Sequence, residues 1–168
     1  MKIETLLISD LSSDPANLRK HPERNIDAIV ASLRKFGQQH PIIVNSQNIV
    51  LAGNGRLEAA KKLGWSEILA VRSELSGIDQ TAFAIADNRS SELAEWDETG
   101  LAETLRALQS EDFEIESVGF TDDEVDGLIE KLAGEIVPDF QPGTIDDQGR
   151  LDEKAKTTCP ECGHEFTP

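Results

Sequence analysis

The stretch Ile49-Val50-Leu51-Ala52-Gly53-Asn54-Gly55-Arg56-Leu57 constrains this chain more than any other. A short apolar run opening on a β-branched pair predicts a strand. Gly53-Asn54-Gly55 then predicts a tight turn, and Leu57, Ala60 and Leu63 recur at helical spacing until Gly64 ends the run. A strand, a turn and a helix in that order aim the first backbone N–H groups of the helix, and the positive end of its dipole, at whatever sits in the turn. Phosphate is the usual occupant of such a junction. The glycines allow close approach of the backbone, and Arg56 can donate two parallel hydrogen bonds to an anion. The residues equally admit a plain turn with Arg56 solvated, because short glycine motifs often match by chance.

On either side the pattern is that of an α+β unit, a small mixed sheet with packed helices. Residues 3–9 read as a strand, and residues 10–25, with Pro15 and Pro22, as a loop carrying the basic cluster Asn17-Leu18-Arg19-Lys20-His21. Such a cluster is either simply solvated or folds back over the glycine turn to supply cations. Asn25 is the expected N-cap of a helix whose face runs through Ile26, Ile29, Val30 and Leu33 to Phe36, with Gly37 as its stop. Pro41-Ile42-Ile43-Val44 and residues 67–72 read as further strands, and residues 45–48 as a turn.

From Ile78 the period is helical through Ala82, Ile85 and Ala86, and this helix carries Asp87-Asn88-Arg89 near its end. Asp and Asn are poor helix formers, so the pair is either a fraying polar turn or is kept for another reason. Trp96-Asp97 leads into a helix around residues 100–108, and Thr121-Asp122-Asp123-Glu124 is a capping box for a last helix over residues 122–132, ended by Gly134. Residues 135–157 are rich in charge, Pro and Gly and read as a flexible linker. The domain boundaries expected are therefore 1–90 for the α+β core, 91–134 for a helical extension, 135–157 for the linker and 158–168 for a tail.

In the tail, Cys159-Pro160-Glu161-Cys162-Gly163-His164 has the spacing of half a zinc ribbon, with His164 as a third candidate ligand. Four ligands are needed, so a second chain sharing the ion in a homodimer would complete the set; a metal-free remnant is the alternative. These are the only two cysteines, too close together to staple a fold, which excludes a disulfide framework.

Charge separates the halves. Residues 1–90 hold 11 Lys and Arg against 10 Asp and Glu, whereas residues 91–168 hold 5 against 22, for a chain total of −16. Bulk attraction to nucleic acid is excluded, because duplex affinity rests largely on Lys and Arg neutralising phosphates. Contact with DNA would have to come directly from the balanced half or through a partner protein. No helix-turn-helix and no basic recognition helix is read after the core, so sequence-specific binding to a centromere-like site is not expected. No apolar run is long enough to span a bilayer and no leader pattern opens the chain, so the expectation is a cytoplasmic protein without membrane contact.

Taken in order, Asn17-x-Arg19-Lys20, Phe36-Gly37, Pro41-Ile42-Ile43-Val44, Ala52-Gly53-Asn54-Gly55-Arg56, Ala59-Ala60 and Leu63-Gly64 resemble the ParB N-terminal domain of the ParB/sulfiredoxin superfamily, over roughly residues 3–90. The continuation through Ala86-Asp87-Asn88-Arg89, Trp96-Asp97 and Gly119-Phe120-Thr121 is similar to ParB-like domains of phage proteins and of some DNA-modification methyltransferases. The resemblance implies a ParB/sulfiredoxin-like fold in which Gly53, Asn54, Gly55 and Arg56 cradle a nucleoside triphosphate. Asn17, Arg19 and Arg89 would join them as nucleotide-binding residues, and Asp87 and Asn88 would hold magnesium and support hydrolysis. Phosphoryl transfer needs mainly positioning and charge neutralisation, which such a set supplies.

Two departures carry weight. Where many partition proteins have Glu and Arg in the glycine box, this chain has Asn54 and Gly55. Asn54 also stands where sulfiredoxin has its reacting cysteine, which removes the nucleophile of that reaction. The functions that follow are a nucleotide-handling NTPase or phosphotransferase in phage or mobile-element DNA metabolism, a non-catalytic adaptor docking onto a DNA-processing partner, and, third, a ParB-like nuclease.

Overall fold

The structure is a computed structural model describing residues 2–15, 17–136 and 157–166. Contacts divide the chain into one compact unit, Met1–Leu132, and a second, Ala133–Pro168. In the first unit β1 (Ile3–Leu7), β2 (Ser12–Ser13), β3 (Ile42–Val44), β4 (Ile49–Ala52) and β5 (Glu67–Arg72) form one mixed sheet in the order β1-β5-β3-β4-β2. β1 and β5 are antiparallel, β5 and β3 parallel, β3 and β4 antiparallel, and β4 and β2 parallel. The expected α+β class is what the chain adopts.

The interior side of this sheet explains its apolar runs. Ile42, Val44, Val50, Ile68 and Ala70 are almost wholly buried together with Leu57 and Ala60 of α2 (Asn54–Lys62). At about 25 cal/mol per Å² of apolar surface, each large side chain among them stabilises the fold by roughly 1.5–3 kcal/mol. Helix α1 (Glu23–Phe36) adds Ile26, Val30 and Leu33 around Ala59 of α2, and the small residue lets the two helices approach. The junction between β4 and α2 is thereby fixed from both sides.

Local differences from the expected boundaries have simple causes. The first strand stops at Leu7 because Ile8 turns inward in a short 3-10 turn, Ile8–Asp10, and Ser12–Ser13 then forms an edge strand inside the expected loop. Asn25 is not the cap of α1: the helix starts at Glu23, and the Pro22 carbonyl accepts from the N–H groups of Asn25 and Ile26. The Asn25 side chain turns instead to His21, with its Oδ1 2.8 Å from the ring Nδ1.

Helix α3 (Ile78–Glu92) lies against β4 and buries none of its residues fully. Helix α4 (Glu98–Ser110) is capped by Asp97, whose carboxylate accepts from the N–H of Gly100 at 3.2 Å. Leu105 of α4, Ile115 of the 3-10 turn Ile115–Val118 and Val125 of α5 (Asp122–Ile136) make a separate apolar cluster, and that turn packs on α1. The capping box forms as expected, with the Thr121 N–H donating to Glu124 Oε2 at 3.0 Å and the Glu124 N–H to Thr121 Oγ1 at 3.3 Å. Gly134 does not end α5, which runs on to Ile136, because a lone glycine that keeps helical dihedrals weakens a helix without stopping it.

The expected linker over residues 135–157 lies almost wholly outside the described residues. In the second unit β6 (Thr157–Thr158) and β7 (Glu165–Phe166) pair antiparallel around the cysteine turn.

Candidate functional site

Gly53 is the hinge of the β4–α2 junction. It caps α2 at φ +94°, where an L side chain is strained, and a Cβ there would stand 2.8 Å from Ile42 Cγ2. The Leu57 N–H donates to the Gly53 carbonyl at 3.0 Å as the first bond of the helix, so the N–H groups of residues 54–56 precede the helical ladder. Among the described residues no side chain caps this end.

Each of the next three residues is placed by a specific contact. Asn54 Nδ2 donates to the Val50 carbonyl at 3.2 Å, while its buried Oδ1 has no hydrogen-bond partner among the described residues. A buried acceptor left unpaired costs about 1–3 kcal/mol, and a ligand hydroxyl or amine would relieve it. Gly55 is buried because the His21 ring and Ile29 close over it, so the basic loop does fold back across the junction. Arg56 is half-buried rather than exposed at the helix start: Nη1 donates to the Pro41 carbonyl at 3.4 Å. Burial pushes its guanidinium below the ordinary arginine range, and the charge of Asp87 pushes it back up.

Beside the junction lies a groove of about 460 Å³ between Asp14, residues 17–20, Leu51 and α3. Asn17, Arg19, Asn88 and Arg89 line it, together with Lys20 and Glu92. Asn17 holds the loop in a tight turn, its Oδ1 accepting from the Arg19 N–H and its Nδ2 donating to the Arg19 carbonyl, both at 3.1 Å. Arg19 Nη1 then reaches Glu92 Oε1 at 2.6 Å, and Arg89 Nη1 reaches Glu92 Oε2 at 3.3 Å. The two guanidinium groups, Arg89 foremost, hold the Glu92 carboxyl below the usual carboxylate range.

Asn17, Arg19, Asn88 and Arg89 thus share one groove, with Leu51 as its apolar wall two residues before Gly53. Residues 53–56 and Asp87 do not line it, and the charge of Asp87 acts on Arg56. Asn88 turns its Nδ2 to the Ala84 carbonyl at 2.7 Å, and the hydroxyls of Ser90 and Ser91 donate to the Asp87 carbonyl. Glu92 and Leu51 were not expected at the site. The signal for Glu92 was its place one helical turn after Asn88 and Arg89, on their face of α3.

Of the pair expected to hold magnesium, Asn88 lines the groove and Asp87 does not. Among the described residues no three His, Cys, Asp or Glu side chains converge. The His164 backbone carbonyl accepts from the Cys159 N–H at 2.9 Å, while the Cys159 carbonyl accepts from the Gly163 N–H at 3.0 Å. The N–H groups of Cys162 and then Glu161 point at the Cys159 sulfur and lower its thiol from the ordinary range, which favours the thiolate a metal requires. No helix among the described residues is long and apolar enough to cross a membrane.

The protein-family model described as the ParB N-terminal domain matches residues 1–89, and that of the ParB-methyltransferase HTH domain matches residues 99–161. The second match corrects the expectation that no helix-turn-helix unit follows the core. In place of a basic recognition helix, α4 and α5 are acidic outside and joined inside by Leu105, Ile115 and Val125.

Among curated proteins, a Campylobacter jejuni protein described as a probable chromosome-partitioning protein ParB is 34% identical over 85 residues, 48% of this chain and 31% of that protein. The chain therefore spans about a third of the length of this relative. The ParB-like nuclease domain-containing protein YnaK of Escherichia coli is 28% identical over 78 residues, 46% of this chain and 87% of that protein. Among solved structures, the C-terminally truncated chromosome-partitioning protein ParB from Caulobacter crescentus complexed with CTP-gamma-S superposes at a TM-score of 0.68 with 20% identity, covering 83% of this chain and 81% of that one.

Proposed function

The chain belongs to the ParB N-terminal domain family, and from that premise we propose that its groove binds the polyphosphate of a nucleoside triphosphate with magnesium. The observation that carries this reading is the convergence of Arg19 and Arg89 on a single carboxylate beside the start of α2. Two guanidinium groups brought from separate elements to one anion, next to backbone N–H groups at a helix start, make a phosphate subsite.

In this reading Gly53, Asn54 and Gly55 offer backbone N–H groups, and Arg56, Arg19 and Arg89 neutralise charge. Asn17 shapes the loop that presents Arg19. Asp87 and Asn88 hold magnesium at the phosphates, and hydrolysis or phosphoryl transfer follows from positioning and charge neutralisation. The apolar wall at Leu51 and Ile85 suits the uncharged part of the nucleotide. The printed description of the Caulobacter relative, a complex with CTP-gamma-S, supports a nucleotide as the ligand class. The setting proposed is phage or mobile-element DNA metabolism, with the core over 1–90 acting through the extension over 91–134.

A second reading, an adaptor docking onto a DNA-processing partner, is favoured by the acidic outer face of α4 and α5, which would repel the DNA backbone and suit a protein partner instead. A ParB-like nuclease, the description of the Escherichia coli relative, ranks third, since two-metal cleavage calls for several converging carboxylates or histidines. In the tail, Cys159 and Cys162 from two copies would supply four thiolates to one zinc ion. Calorimetric titration of the full chain with CTP, ATP and GTP in magnesium tests the main reading. Binding heat with at least one of them is expected; no heat with any would leave the adaptor.

A further inference from the structure

The anion already on the two groove arginines belongs to the protein. Arg19 comes from the loop before α1 and Arg89 from the last turn of α3, yet each takes one oxygen of the Glu92 carboxylate, at 2.6 and 3.3 Å. To a guanidinium, a carboxylate and a phosphate present the same pair of acceptors. We propose that Glu92 is an internal competitor for the groove: it occupies Arg19 and Arg89 until a polyphosphate displaces it and takes its place on both. This rests on the groove being a polyphosphate site, and it adds which group of the chain holds that site before the ligand arrives.

Two further observations give the device its shape. The pair is accessible, with the Arg19 side chain 42% exposed and that of Glu92 47%, so an incoming ligand of higher charge reaches both partners without unfolding anything. Helix α3 has no fully buried residue, and Ile78 and Ile85 on it are 84% and 51% exposed, so little apolar packing besides the pair holds its end and the loss of the Glu92 charge is readable there. Arg19 reaches Glu92 from the loop and Arg89 from one turn away on the same helix, and a polyphosphate replaces the carboxylate on both.

Glu92→Gln in the full chain keeps the side-chain shape and removes the charge. The probe is magnesium-free tripolyphosphate, followed by the nucleotide of highest affinity. The expected result is tighter binding by Glu92→Gln, roughly two- to five-fold, the range an exposed ion pair carries. Amide hydrogen exchange of Glu92→Gln without ligand should rise in residues 17–20 and the last turn of α3, and tripolyphosphate, by bridging Arg19 and Arg89, should reverse that rise. Binding by the unaltered protein with equal or weaker binding by Glu92→Gln would overturn the competitor and leave the polyphosphate site standing. Binding by neither protein to tripolyphosphate or any nucleotide would remove the site itself, and the competitor with it.

Discussion

His21 rests its ring on Gly55: a Cβ at that glycine would stand 2.9 Å from both Cε1 and Nδ1 of the imidazole, and 3.0 Å from Ile29 Cδ1. This contact ties the loop that carries Arg19 to the first turn of α2, and so joins the groove to the glycine junction.

Gly55→Ala should therefore act on the loop before it acts on the fold. The ring has to move, which breaks its contact with Asn25, while the backbone at this position has helical dihedrals that alanine accepts. Overpacking of this kind costs about 1–3 kcal/mol. Nucleotide affinity should fall by about tenfold or more, since a small misplacement of a positioning group is expensive. Thermal unfolding and calorimetry on the same sample separate the two effects.

Gly53→Ala should be the more damaging of the two glycine changes. It combines a left-handed dihedral with a clash at Ile42, a residue with no exposed surface. Strain at such a position is on the order of 1–3 kcal/mol before the clash is counted. Denaturant unfolding should show a lower midpoint with an unchanged slope.

Arg56→Ala should abolish nucleotide binding and also remove a structural bond, because the guanidinium donates to the Pro41 carbonyl from a half-buried position. The stability lost should be about 0.5–1.5 kcal/mol, the net value of one such hydrogen bond. Arg56→Lys keeps the charge but not the fork of donors, so it should recover stability better than binding. Parallel unfolding and titration of the two variants give the comparison.

Acid should loosen the last helix from α1. Arg24 forms an ion pair with Glu124, and that contact, followed by the Thr121 N–H, holds the Glu124 carboxyl below its ordinary range. A carboxyl lowered by folding contributes stability that is fully present above its unfolded pKa, near 4.3 as a rough reference value, and is lost as pH falls through the lower folded value. Glu124→Gln should thus be less stable than the unaltered protein at neutral pH, and the gap should close in acid. Unfolding followed across pH 2–7, roughly the carboxylate range and above, checks the sign.

Purified protein kept reduced and free of chelator should carry about half an equivalent of zinc per chain if two copies share one ion. Cys159→Ser should lose it. A full equivalent, or none, would rule out the shared site.

Much of the fold is legible from short-range patterns. The β4–Gly53–α2 junction, α1, β5 and the Thr121–Glu124 capping box follow from periods and caps that span a few residues, and the structure keeps them to within about three residues, the start of α1 moving most, from a cap at Asn25 to one at Pro22. Errors arise where a longer contact competes with a local signal. Asn25 loses its capping role to a helix that starts at Glu23 because its side chain is taken by His21, and Arg56 loses its expected exposure to Pro41, fifteen residues upstream. The helix-turn-helix unit over residues 99–161 is not legible from charge, because its helices carry the reverse of what a DNA-reading helix carries.

By itself the sequence determined the elements and the chemistry each could bring: a helix start with left-handed glycine before it, arginines in a loop and on a helix, a pair of cysteines in one turn. Only the tertiary structure decided which of them meet. Arg19 and Glu92 are 73 residues apart, and nothing local relates them until α3 lies along β4 and the loop folds over Gly55. The physical reason is that periodicity and capping are properties of neighbours in the chain, whereas a charge pair in a groove depends on packing that brings distant segments within a few ångströms.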